Sequence, residues 1–291
     1  MKYTNCDLHV HSNNSDGSLS TSELIAEAKK LGIIIALTDH NTTKGLESFL
    51  KEASEQGITV VSGIELSTEY NGKELHLLGY FIDKEHYEKI EKLMEEYHTL
   101  KEESNIALTN RLRENGYVIE YEEVKKRNVN GHPNRAHFAS ELMEKGYISS
   151  IEKAFETILS VKNGLYVPPK RMNIFDAIRF LCGINAVPVL AHPLIDLDEN
   201  ELRELLPKAI NAGLVGIETM HSKYSEDDLK TAEQISKDFN LLQSGGSDFH
   251  GKPKPNIFLG VGKGNLSIPV EFYYKLSAVK KEKQYDNHNT C

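Results

Sequence analysis

Asp7-Leu8-His9-Val10-His11 closes the first apolar run of the chain, with Asp16 five residues beyond it. On a β-strand, residues i and i+2 point to one face, so both imidazoles of this run can reach a common point. The pairing of histidine with carboxylate then recurs. It appears in Thr38-Asp39-His40, Gly63-Ile64-Glu65, Glu74-Leu75-His76, Ala191-His192-Pro193 and Ser247-Asp248-Phe249-His250. Six of the twelve histidines fall in these motifs, each at an apolar, strand-like run. A lone His-x-His is weak evidence, and a lone Ala-His-Pro weaker still. Asp248-Phe249-His250, after Gly245-Gly246, reads on its own as a turn with a capping Asp. Their joint placement argues for convergence on one metal-rich site.

The intervening sequence alternates strand-like and helix-like segments. Ser20-Thr21-Ser22-Glu23 reads as a capping box opening a helix through Leu24, Ile25, Ala28 and Leu31, which Gly32 ends. Ile33-Ile34-Ile35-Ala36-Leu37 has the continuous apolar character of a strand buried on both faces. A helix over about 44–56 ends at Gly57, Ile58-Thr59-Val60-Val61 is the next strand, and 75–81 is a further one, antiparallel or lateral. A long charged helix over about 84–114 has Ile90, Leu93, Met94, Tyr97 and Leu100 on one face. Helical stretches dominate up to Pro168-Pro169. Strands are then expected at 187–191, 214–217, 241–244 and 257–261, separated by helices. About seven strands in βα order imply an α/β fold with a parallel barrel or open sheet. The barrel is preferred because His40, Glu65, His192 and Asp248 directly follow strand-like runs, and βα barrels gather functional groups at the C-terminal ends of their strands. The expected organisation is a discontinuous barrel of 1–98 and 171–280, an inserted helical subdomain at 99–170 and a disordered tail at 281–291.

At 291 residues the chain can bury a sizeable core without disulfides. A net charge of −9 argues against broad binding to duplex nucleic acid, which needs many Lys and Arg contacts to phosphate. It leaves room for a small phosphorylated ligand. No apolar run reaches the ~18 residues of a membrane span, and the N-terminus has no secretory apolar region. Cys6, Cys182 and Cys291 match no zinc or redox spacing. The first two read as core residues and the last as a terminal thiol, and a cytoplasmic location is expected.

The candidate ligands are His9, His11, Asp16, His40, Glu65, His76, His192, Asp248 and His250. One tetrahedral zinc takes about four ligands, so this set suggests two or three divalent ions with a bridging carboxylate. The histidines outside the motifs, His86, His98, His132, His221 and His288, read as residues of solvated faces or loops. In the insertion, Arg135-Ala136-His137-Phe138-Ala139 and Tyr166-Val167-Pro168-Pro169-Lys170-Arg171 stand out, although by the residues alone an ordinary helix start and a proline-stiffened linker are the favoured readings.

These motifs resemble the four signature motifs of the polymerase-and-histidinol-phosphatase (PHP) family, over residues 1–83 and about 180–262. The resemblance implies a distorted seven-stranded (β/α)7 barrel holding three metals. The first would take His9, His11, Glu65 and Asp248. Glu65 would bridge to a second held by His76 and His192, and a third would take Asp16, His40 and His250. Asp16 stands where some members have histidine, and its carboxylate favours Mn²⁺ or Fe²⁺ over Zn²⁺. The implied chemistry is attack on a phosphate ester by a metal-bridging hydroxide, available because a bound metal pulls the pKa of water down to about 7. Glu65 would be the catalytic bridge. Asp39 would be an outer acceptor or proton relay, or else a cap of the neighbouring turn.

The insertion resembles that of the nucleoside 3′,5′-bisphosphate phosphatases, which also act as 5′→3′ exoribonucleases on short RNA. By that resemblance Arg135, His137 and Lys170, with Arg171 beside them, would hold a second phosphate. After Gly216-Ile217-Glu218 the chain carries Tyr224 where relatives carry histidine, with His221 three residues earlier. The expectation is a metal-dependent phosphoesterase acting on nucleoside 3′,5′-bisphosphates or short 5′-phosphorylated RNA. The alternatives are a histidinol-phosphate phosphatase, an amidohydrolase-type hydrolase, and a noncatalytic PHP module supporting a polymerase, which the intact ligand set disfavours.

Overall fold

The structure is a computed structural model and describes residues 3–127 and 133–289, so His132 and Cys291 lie outside the described residues. The chain divides into two compact units, Met1–Glu91 with Met172–Cys291, and Lys92–Arg171.

The first unit contains strands β1 (Cys6–Val10), β2 (Ile34–Leu37), β3 (Val60–Tyr70), β4 (Lys73–Tyr80), β5 (Met172–Asn173), β6 (Val187–Leu190), β7 (Gly216–His221) and β8 (Leu242–Gly246). They form one sheet in the order β1-β2-β3-β4-β6-β7-β8, with the two-residue β5 on the side of β3. Pairing is parallel except on both sides of β4. Just beyond β8 the sheet curls back onto β1. The His11 N–H donates to Phe249 O at 3.0 Å, and the Asp248 N–H donates to His9 O at 3.0 Å. The result is the nearly closed seven-stranded barrel that the motifs imply, distorted by one antiparallel strand.

Glycine permits this closure. A Cβ on Gly246 would sit 2.1 Å from His9 Cβ. Asp7, at the start of β1, fastens the same seam by accepting from Ser247 N at 2.8 Å, Ser247 Oγ at 2.5 Å and Gly260 N at 2.8 Å. Leu8, Ala36, Val61, Leu78, Val187 and Val189 fill the apolar core with Leu266 and Ile268. Buried Tyr80 spans it, donating to Leu8 O at 2.8 Å and lying 3.0 Å from Ser244 Oγ.

In chain order the helices are α1 (Thr21–Leu31), α2 (Leu46–Gln56), α3 (Tyr87–Glu114), α4 (Tyr121–Lys126), α5 (Arg135–Glu144), α6 (Ile151–Glu156), α7 (Ile174–Gly183), α8 (Pro193–Asp196), α9 (Glu199–Ala212), α10 (Glu226–Asp238) and α11 (Glu271–Asn289). Ser20 and Glu23 make the expected reciprocal cap of α1, and Gly32 ends it at φ +67°, a conformation glycine adopts without steric cost. In the second unit, Leu108, Leu112, Ile119, Val124, Phe138 and Leu142 form a separate core.

Several expectations from the sequence need correction. β3 does not stop at Val61 but runs on to Tyr70. The segment 257–261 is no strand; it is a turn held by a Phe258–Gly262 bridge, with Gly260 and Gly262 both at positive φ. The last helix, α11, extends to Asn289. The second unit begins at Lys92, inside α3. No helix among the described residues is long and apolar enough to cross a membrane.

Candidate metal centre

Glu65, fully buried on β3, is the hub of the site. Its Oε2 lies 3.1 Å from His9 Nε2, 3.2 Å from His11 Nε2 and 3.1 Å from His40 Nδ1. Its Oε1 lies 2.9 Å from His76 Nδ1 and 3.2 Å from His192 Nε2. One carboxylate therefore touches imidazoles brought by β1, β4 and the segments that follow β2 and β6. The antiparallel β3–β4 ladder pairs Ser67 with His76, which sets His76 diagonally across from Glu65. Asp248 Oδ1 lies 3.4 Å from both His11 Nε2 and His250 Nδ1. Asp16 Oδ1 lies 3.1 Å from His250 Nε2, and Asp16 Oδ2 lies 3.8 Å from His40 Nε2.

All nine ligands expected from the sequence meet here. Their donor atoms fall into four overlapping groups, each within 4.8 Å: His11, Asp16, His40 and His250; His9, Glu65 and His192; His9, His11 and Asp248; and His40, Glu65 and His76. The donor set fits divalent ions. His9 Nε2, both ring nitrogens of His11, His40 Nδ1, His76 Nδ1, Asp16 Oδ1 and Glu65 Oε2 are buried and complete no hydrogen bond. Leaving so many buried polar atoms unmatched costs about 1–3 kcal/mol each, which a cation bound among them offsets.

The electrostatics agree. Burial alone would push the Glu65 carboxyl up, but the imidazoles of His9, His40 and His76 hold it well below the ordinary range. Burial pulls His11 and His76 down, and adjoining carboxylates override it. Asp248 and Glu65 bring His11 to about 9, and Glu65 with Glu74 brings His76 to about 10. For His40 burial prevails, and its pKa drops to about 3.

Some of the chain's left-handed backbone positions lie at the candidate ligands. His192 has φ +28° and Asp248 φ +57°, and Asn41, next to His40, has φ +53°. Such conformations cost about 1–3 kcal/mol each and persist where the surroundings over-determine them. Asp39 holds one part of the surroundings, taking Ser12 N, Ser12 Oγ and Ser15 Oγ onto its two oxygens at 2.8, 2.6 and 2.5 Å.

Two residues escaped the sequence reading. Glu218, buried on β7, has both carboxylate oxygens 3.1 Å from His9 Nδ1 and accepts the His192 N–H at 2.8 Å. His221 was expected on a solvated face. It is fully buried at the end of β7, with Nε2 3.5 Å from Asp248 Oδ2 and its ring 5.2 Å from that of His192. The recurrence of Gly-Ile-Glu in Gly216-Ile217-Glu218, the form of Gly63-Ile64-Glu65, is the sequence signal that could have found the first. Tyr224 is also buried; its hydroxyl accepts the Leu194 N–H at 3.1 Å, and its ring meets His221 edge-on. His86 and His98 are partly exposed as expected, and His288 falls within α11.

In the second unit, Arg135 opens α5 with its guanidinium 4.7 Å from the Tyr166 ring centre and 5.3 Å from that of Phe155. His137 Nδ1 accepts the Asn134 N–H at 3.0 Å, as part of the cap of α5. Lys170 is exposed and Arg171 half-buried.

A family model described as the PHP domain matches residues 7–167. A 5′-3′ exoribonuclease of Haemophilus influenzae is 31% identical over 84% of this chain and 89% of its own length. A 3′,5′-nucleoside bisphosphate phosphatase of Chromobacterium violaceum is 28% identical over 84% of this chain and 87% of its own. Among solved structures, an amidohydrolase from Chromobacterium violaceum with bound sulfate superposes with a TM-score of 0.82, at 26% identity, over 94% of this chain and 96% of that one.

Proposed function

Since this chain belongs to the PHP-domain family and is a metal-dependent phosphoesterase, we propose that its substrates are nucleoside 3′,5′-bisphosphates and short 5′-phosphorylated RNA. The observation that carries the phosphoesterase chemistry is the contact of Glu65 with five imidazoles amid buried, unmatched donor atoms. The bisphosphate and RNA reading is supported by the activities of the two relatives and by the basic residues of the second unit.

In this proposal three divalent ions, with Mn²⁺ favoured, are held by His9, His11, Asp16, His40, Glu65, His76, His192, Asp248 and His250. The ions supply Lewis acidity toward a phosphoryl oxygen and nucleophilic water near neutral pH. Glu65 stays ionised and shares its two oxygens between neighbouring sites. Asp39 acts by holding the loop that carries Asp16 rather than by relaying a proton, because both its oxygens are engaged by Ser12 and Ser15. Arg135, His137, Lys170 and Arg171 take the phosphate that is not cleaved. The Arg135 guanidinium lies over the Tyr166 and Phe155 rings, and its planar fork suits bidentate recognition of phosphate.

The test is a Mn²⁺-supplemented assay comparing adenosine 3′,5′-bisphosphate, histidinol phosphate and a 5′-phosphorylated short RNA. Turnover of the bisphosphate or RNA well above that of histidinol phosphate is expected. Preference for histidinol phosphate would overturn the substrate assignment.

A further inference from the structure

We propose that Glu218 is a positioning residue that prepares two members of the metal centre at once, His9 through its ring and His192 through its backbone. Glu218 is inaccessible to solvent on β7, while the two residues it engages belong to β1 and to the segment after β6.

Its geometry toward His9 fixes a tautomer. Both Glu218 oxygens lie 3.1 Å from His9 Nδ1. An ionised carboxylate only accepts, so the N–H of a neutral His9 belongs on Nδ1. The lone pair is then on Nε2, the nitrogen 3.1 Å from Glu65 Oε2 that completes no hydrogen bond. A histidine whose far N–H rests on a carboxylate is fixed in orientation and is a more basic ligand.

Toward His192 the contact is with the main chain. The His192 N–H donates to Glu218 Oε2 at 2.8 Å, at a residue held at φ +28° and followed by Pro193, which narrows the backbone choices of the residue before it. The His192 ring has a different partner, with Nδ1 3.4 Å from Asp196 Oδ2. Two carboxylates thus divide the work. Asp196 bears on one imidazole alone, whereas Glu218 links two.

The inference rests on the metal-binding reading of the cluster, and the experiment separates the two. Wild type, Glu218→Gln and Asp196→Asn are loaded with Mn²⁺ and dialysed against graded chelator, and retained metal per chain is measured. Melting of the metal-free proteins checks the fold. Glu218→Gln is expected to weaken retention by about 10- to 100-fold, the usual cost of losing an outer carboxylate, and to affect more than one equivalent. Asp196→Asn should affect one.

Equal retention by wild type and Glu218→Gln overturns the role of Glu218 alone, whereas a wild type that takes up no metal overturns both readings. A second measurement does not depend on any variant. In Zn²⁺-loaded wild type with ¹⁵N-labelled histidine, His9 should carry its proton on Nδ1, and a proton on Nε2 would refute the proposal.

Discussion

Ser12 gives Asp39 two hydrogen bonds, one to each oxygen: its N–H reaches Oδ1 at 2.8 Å and its hydroxyl reaches Oδ2 at 2.6 Å. With Ser15 on the same carboxylate, this ties the loop carrying Asp16 to the end of β2. Asp39→Asn turns one buried acceptor into a donor facing donors, a mismatch of about 1–3 kcal/mol. The melting temperature should fall, and metal should be lost first from the group containing Asp16, His40 and His250. Melting curves with metal analysis check this; an unchanged metal content would show that the Asp16 loop holds itself.

Glu65→Gln removes the charge that five imidazoles share. Hydrolysis is expected to drop by about 10²- to 10³-fold, the scale seen when a preorganised electrostatic partner is lost, with a barrel that still folds by circular dichroism. His192→Ala should likewise abolish turnover. Near-wild-type rates would exclude Glu65 as the bridge in the first variant and His192 as an essential ligand in the second.

Metal uptake should release protons. In the metal-free chain the carboxylates bring His11 to about 9 and His76 to about 10, so both rings carry protons at neutral pH that a bound ion must displace. Apparent affinity therefore rises as pH rises toward those values and falls on acidification. Calorimetry in buffers of different ionisation enthalpy measures the release directly, and uptake without proton release would contradict it. The stability of the metal-free chain follows the opposite rule for these rings. Their raised folded pKa values contribute stability below the ordinary imidazole range, and that contribution is lost as pH climbs through about 9 to 10. Glu65 and Asp248 are depressed, so their contribution is present above the ordinary carboxylate range and lost in acid.

Arg135→Lys keeps a charge but loses the planar fork that Tyr166 and Phe155 stack. KM for a nucleoside 3′,5′-bisphosphate should rise by about 10-fold or more, consistent with about 1.5–3 kcal/mol for a charge-assisted hydrogen bond, with little change for a monophosphate. Equal effects on both substrates would remove Arg135 from recognition of the second phosphate.

The nine candidate ligands were legible in the sequence because each is a polar residue in or beside an apolar run, where hydropathy makes it conspicuous. His-x-His on β1 also carries its geometry in its spacing. Glu218 is marked only by the repeated Gly-Ile-Glu form and His221 by nothing, because their role depends on which neighbours β7 receives across the sheet, and pairing with β6 and β8 is a long-range fact. Hydropathy also ended β3 too early. Gly63, Ser67, Thr68 and Glu69 break the apolar run, yet the antiparallel ladder to β4 continues through them. The opposite error arose at 257–261, where apolar residues around Gly260, with Gly262 just beyond and both glycines at positive φ, make a turn that looks like a strand.

The β3–β4 ladder also orders events in time. Glu65 and His76 sit on one hairpin, closed by Asn71 and Gly72 at positive φ, so they can meet through local contacts alone. Hairpins of this kind form in about 1–10 μs. Asp248 and His250, by contrast, must wait for the chain's far end to return to β1, a closure whose entropic cost precedes its reward. The hub carboxylate and one imidazole are therefore expected to come together early in folding. In pulsed hydrogen exchange during refolding, protection of Leu66 and Leu77 amides should precede that of His11.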